Sequence, residues 1–180
     1  MKRILFLLSL MLALPRCAAA DVDQRCTTAT TTVTASSAYA SGNTIGSLLT
    51  FTKALGDYTG SGFVTSVKVN DLAAQAVNMD LYLFSSNPSA TTITDKTTLD
   101  IDDADLGKVI VPINLGSSSQ FAFNDNSIHA LGSLFYPIYS RTSTGALSST
   151  VYGVLVSRGT PTFASTSDIS VTICVSFDSN

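Results

Sequence analysis

The chain has 180 residues, with thirteen acidic side chains against ten basic ones, a single histidine and no tryptophan. That balance excludes a nucleic-acid partner, because phosphate binding rests on clustered Lys and Arg. Every acidic residue is Asp and none is Glu, and Asp prefers turns and caps to helix interiors, so with the abundant Ser and Thr the composition points to an all-β protein.

Met1-Lys2-Arg3 is a basic start, residues 4–14 are an apolar run of 11, and Ala18-Ala19-Ala20 is a small-residue exit. This order of charge, apolar run and small residues reads as a secretory signal peptide over residues 1–20. The run is shorter than the roughly 20 residues a membrane span needs, and no later segment approaches that length. Arg16 stands before Cys17 where a lipid-attachment signal needs a small residue, so cleavage is expected after Ala20. Residues 21–180 then form one domain of 160 residues, with seven basic side chains against thirteen acidic and a formal charge of −6. Its expected location is exported, periplasmic or extracellular.

Two cysteines remain, Cys26 and Cys174, near opposite ends of that domain. An exported chain with two such thiols is expected to join them. Strand parity agrees. Ile169, Val171, Ile173, Val175 and Phe177 make one apolar face, which sets Cys174 on the other with Ser170, Thr172 and Ser176. Cys26 shares a face with Thr28, Thr30, Thr32 and Thr34. Both thiols look away from the core, so the disulfide would link adjacent strands on the polar surface.

In chain order, residues 21–25 read as a short lead-in and 26–35 as a Thr-rich strand suited to a sheet edge. Residues 39–44 turn, and Ile45, Leu49 and Phe51 carry the next strand inward. Residues 53–62 are a Gly-bearing loop with Asp57 and Tyr58 at its middle. Phe63, Thr65, Val67 and Val69 alternate with Val64, Ser66, Lys68 and Asn70 in a half-buried strand ending at Asp71. A short turn through Ala73 and Ala74 leads to a strand in which Met79, Leu81 and Leu83 alternate with Asp80, Tyr82 and Phe84, and the two are expected to be antiparallel neighbours.

Asn87-Pro88-Ser89 stops that strand, because proline has no N–H for a ladder. After a Thr-rich connection Asp102 stands as a helix N-cap before Asp103-Ala104-Asp105-Leu106, with Gly107 ending a single turn. Val109, Val111 and Ile113 resume the alternation on one face. Residues 116–119 loop, Phe121 and Phe123 open a short element, and residues 124–126 turn. Residues 134–139 form a strand that Pro137 demotes to an edge or bulge. Residues 140–149 are polar, with Gly145 at the tip; 151–156 are nearly continuously apolar, as in a central strand; 158–161 turn, and Asp168 leads into the last strand. Eight or nine strands at short intervals predict a two-sheet antiparallel β-sandwich of jelly-roll type.

Motifs for chemistry are missing. His129 reads as a loop residue, no G-x-S-x-G elbow surrounds any serine, and no Gly-rich phosphate loop occurs. Two distant cysteines and one histidine have no zinc-ligand spacing. Asp100, Asp102, Asp103 and Asp105 could supply oxygens to calcium, but the run has no Gly at its sixth place and Val111 at its twelfth, so helix capping accounts for it better. No cofactor and no enzymatic activity are expected.

Three segments carry a resemblance: AYASGNTIGSLLTF (38–51), DLYLFSSNPSATTITDKTTLDIDDADLGKVI (80–110) and VYGVLVSRGTPTFASTSDISVTI (151–173). They are similar to a widespread family of small phage virion-associated proteins, over most of the domain, the middle segment being the most specific. The resemblance implies a non-enzymatic structural or decoration-type subunit docking on other virion subunits, with no set of functional residues to carry over. A signal peptide and a disulfide depart from that family's pattern, since virion proteins assembled in the cytoplasm carry neither. They open a second reading, an exported binding module for a cell-surface glycan, using loops 53–62 and 140–149 with Tyr58, Tyr136, Tyr139 and Tyr152 as stacking platforms. Self-association is compatible with either.

Overall fold

A computed structural model describes residues 22–57 and 60–178; the expected signal peptide, Cys17 and Tyr58 lie outside the described residues. The elements are β1 (Val22–Thr30), β2 (Leu49–Phe51), β3 (Ser61–Asp71), β4 (Met79–Phe84), α1 (Asp103–Leu106), β5 (Val109–Leu115), β6 (Gln120–Ala122), β7 (Ser127–Leu131), β8 (Tyr136–Tyr139), β9 (Val151–Ser157) and β10 (Ile169–Asp178). Two antiparallel sheets pack face to face. Sheet one runs β1-β10-β3-β7-β6, with β8 also paired to β3, and sheet two runs β2-β9-β4-β5. The all-β sandwich expected from the sequence is therefore the fold.

Alternation explains the core. From sheet one, Val67, Val69, Val171, Ile173 and Val175 point inward; from sheet two they meet Leu49, Phe51, Leu81, Leu83, Ile113 and Leu155, all buried in one cluster. Gly153 lies in the middle of sheet two, where a Cβ would meet the Phe51 ring at 3.0 Å, so any larger residue would press on that ring.

Part of the outer face of sheet two, around β9 and the end of β4, is buried as well. Phe84, Val154 and Val156 form a second buried cluster beneath Ile93, Leu99 and Ile101, all three from the long β4–β5 connection. This is why β9 reads as continuously apolar: both of its faces are covered. Asp95 fastens the connection down. Its Oδ2 accepts the Thr34 N–H (2.8 Å) and hydroxyl (2.7 Å), its Oδ1 accepts the Gly46 N–H (2.5 Å), and the Tyr39 hydroxyl donates to it at 2.8 Å. At the end of the connection Asp102 caps α1 by accepting the Ala104 N–H at 2.8 Å, as expected, with Gly107 at the C-cap.

Several local expectations are corrected. The first strand begins at Val22 rather than at Cys26, because residues 22–25 pair with the end of β10. β3 and β4 are not hairpin neighbours but lie in different sheets. The Asp71 carboxylate accepts the N–H groups of Ala73 (2.9 Å), Gln75 (2.7 Å) and Ala76 (3.3 Å), and Ala74 and Ala76 take φ of 51° and 55°, so the chain turns out of one sheet into the other.

Two bulges also break the simple period of two. In β3, Ser66 pairs with Cys174 but Val64 with Val175, which leaves Thr65 as the extra residue. Val64 is consequently buried and Phe63 exposed, the reverse of the expected faces. In β5, Ile110 is extra in the same way, and Val109 turns to the outer cluster while Val111 packs on the main core.

Candidate functional site

Outward-facing residues of sheet one are polar along most of its length, with Thr28, Thr30 and Lys68 exposed. At the end where β8 joins β3 the surface becomes apolar. The Thr65 bulge turns Phe63 outward, and Phe135, 73 % exposed, stacks on it with ring centroids 4.2 Å apart and planes 16° apart. Pro137, opposite Phe63 in the register, adds an apolar ring and removes an N–H from β8. With Tyr139, Val22 and Phe177 these side chains line an open groove of about 640 Å³. The Arg25 guanidinium sits 5.9 Å from the Phe177 ring centroid, over its face. Single exposed apolar residues are ordinary on any protein, whereas a contiguous aromatic patch marks a surface that gains by being covered.

Cys26 and Cys174 are joined. They face each other directly in the β1–β10 register, Cα atoms 4.0 Å apart, on the polar side of the sheet. Strand parity had therefore placed both thiols correctly.

The four candidate calcium ligands are not assembled into a site. Asp105 is fully buried; its Oδ2 accepts the N–H groups of Ala90 (2.9 Å) and Thr91 (2.6 Å), and its Oδ1 the Lys108 ammonium at 2.6 Å. Burial pushes this carboxyl up, but the bonds from Lys108 and Thr91 outweigh it and hold it below the usual carboxylate range. Asp102 is engaged as the helix cap, and Asp100 and Asp103 are exposed. Among the described residues no group of three or more His, Cys, Asp or Glu side chains is placed to hold a metal ion.

His129 is not in a loop. It lies in β7 opposite Val69, fully buried, with neither ring nitrogen hydrogen-bonded. Burial holds its pKa below the ordinary value, partly offset by the Asp71 carboxylate. A hydrophobic pattern could have revealed this strand, because Ile128 and Ala130 flank the histidine, but the imidazole occupies the inward position where an apolar residue announces a strand.

The tyrosines separate. Tyr136 and Tyr139 are on β8, 38 % and 46 % exposed, and Tyr139 lines the apolar groove. Tyr152 lines a different, polar concavity beside the hairpin 140–149. Loop 53–57 is less available than expected, since Ala54 and Leu55 are fully buried. The residues that sequence reasoning missed are Phe63 and Phe135, because a bulge that reverses a strand's faces leaves no mark in the period of two. No family model matches the chain, and no curated protein or solved structure matches it.

Proposed function

We propose that the protein is a non-enzymatic, phage virion-associated structural or decoration-type subunit that docks its sheet-one groove against an apolar projection of a neighbouring virion subunit. The observation that carries this reading is the Phe63–Phe135 stack beside Tyr139, exposed among the described residues on the outer face of sheet one. Strand order is in keeping with it: β1-β10-β3-β7 facing β2-β9-β4-β5 fits a jelly-roll reading of the sandwich, an architecture used by viral capsid domains and by lectins. The non-enzymatic reading rests on the sole histidine being sealed in the core, away from any substrate. Mass spectrometry of purified particles against the exported fraction tests the role. The protein is expected in the particles at a fixed ratio to the coat subunit, and its absence from them would overturn the reading.

A second reading, an exported binding module for a surface glycan, draws on the Cys26–Cys174 disulfide, which persists in oxidising compartments. Among the described residues no helix is long and apolar enough to cross a membrane. A glycan array probed with residues 21–180 tests it: selective binding favours the module and silence removes it.

A further inference from the structure

A polar concavity of about 400 Å³ lies between the turn that follows β4 and the hairpin 140–149, a size within the range of about 300–1,000 Å³ usual for small-molecule sites. Ser86, Asn87, Lys108, Arg141, Ser148 and Tyr152 contribute to its lining, and no carboxylate does. In a chain so rich in Asp this is an uneven distribution. The concavity lined by the Thr-rich part of the β4–β5 connection instead carries Asp100 and Asp102 and no cation.

The two cations of the cleft differ in what they have left to offer. Lys108 is committed: its ammonium donates to Asp105 Oδ1 at 2.6 Å and to the Asn87 carbonyl at 2.9 Å. Arg141 donates through Nη1 to the Gly145 carbonyl at 3.0 Å, and the ion pairs found among the described residues do not include it. Among the described residues its charge is therefore left without an ion-pair partner in the lining of the cleft. The walls are tied together by the backbone. The Arg141 N–H donates to the Ser85 carbonyl at 2.8 Å, the Ser85 N–H to the Lys108 carbonyl at 2.8 Å, and the Ser148 N–H to the Ser140 carbonyl at 3.0 Å. A site held this way needs little reordering to bind.

A guanidinium presents forked donors matched to a carboxylate. Serine hydroxyls and an asparagine amide match sugar hydroxyls, and an aromatic ring offers a surface to the apolar face of a sugar ring. We infer that this cleft binds a carboxylate-bearing sugar, with Arg141 taking the carboxylate and Tyr152 the ring. The inference rests on the binding-module reading and names its ligand class and its site.

Calorimetric and NMR titration of the oxidised exported protein with N-acetylneuraminate and galacturonate, against galactose and inorganic sulfate, tests it. Saturable binding of at least one acid sugar is expected, with galactose and sulfate at least tenfold weaker. Arg141→Ala is expected to weaken the acid sugar at least tenfold, Arg141→Lys to recover part of the loss, and both variants to keep the wild-type unfolding midpoint because the side chain is exposed. Absence of saturable acid-sugar binding, sulfate binding as tight as the sugar, or an unchanged affinity in Arg141→Ala would each overturn the inference. Binding of neutral glycans on the array without acid-sugar binding would overturn it while leaving the module reading intact.

Discussion

At the scale of single residues, the all-Asp acidic composition has a structural meaning. Asp71, Asp95, Asp102, Asp105 and Asp168 each accept backbone N–H groups at turns, a task for which the short Asp side chain suits better than Glu. Asp105→Ala removes the buried partner of Lys108 and the acceptor of the Ala90 N–H, and leaves the Thr91 N–H only its longer 3.3 Å bond to the Pro88 carbonyl, so urea titration is expected to show a loss of about 3 kcal/mol. The exposed neighbour Asp103→Ala should change stability by no more than about 0.5 kcal/mol.

His129 makes a separate prediction about acid. Its folded pKa is depressed by burial, so as pH falls below the unfolded value of about 6.5 the unfolded chain takes up a proton that the folded chain refuses. Stability is expected to be level between pH 8 and 7 and to fall below about 6.5, by no more than about 1.4 kcal/mol per pH unit. His129→Leu should flatten that limb of the stability profile. An unchanged slope in the variant would show that another group is responsible.

At the scale of elements, β1 is an edge strand whose Thr-rich outward face buries little, and its partnership with β10 is what holds it. The disulfide ties the two across a sequence separation of 148 residues. In the chain-entropy account such a loop stabilises by about 5 kcal/mol. The double variant Cys26→Ser, Cys174→Ser is expected to lose about that much in denaturant titration, and mass analysis without reductant should show the wild type two hydrogen atoms lighter than its reduced form. The bulges act at this scale too. One extra residue in β3 exchanges a core position for a surface one, which makes Phe63 part of the groove without any change of residue type.

At the scale of the whole molecule, the two sheets have unlike surroundings. Sheet two is covered by the core on one face and, around β9 and the end of β4, by its own long β4–β5 connection on the other, while sheet one, among the described residues, carries an exposed aromatic groove at one end of its outer face. The proposed docking surface therefore lies on sheet one. Phe135→Ser removes half of the stacked pair at a site 73 % exposed. Under the virion docking proposed above, it is expected to leave the unfolding midpoint within error of wild type while lowering retention on particles more than tenfold, the equivalent of at least about 1.4 kcal/mol. Equal retention would place the contact elsewhere.

The amino-acid sequence by itself determined what local chemistry can encode. Alternation placed the inward faces of β4 and β10, the turn of α1 followed from Asp102 and its neighbours, the unbroken apolar run identified β9 as a central strand, and parity set both cysteines outward. Tertiary structure decided what depends on distant partners. Which sheet receives β4 depends on how the turn at Asp71 is satisfied. A buried imidazole hides β7, because its inward position is filled by a polar ring. The groove and the polar cleft exist only where segments far apart in sequence meet, Val22 with Phe135 in the first and Ser86 with Arg141 in the second. Periodicity reports which way a side chain points along its own strand, and only the packing of other strands says what lies there.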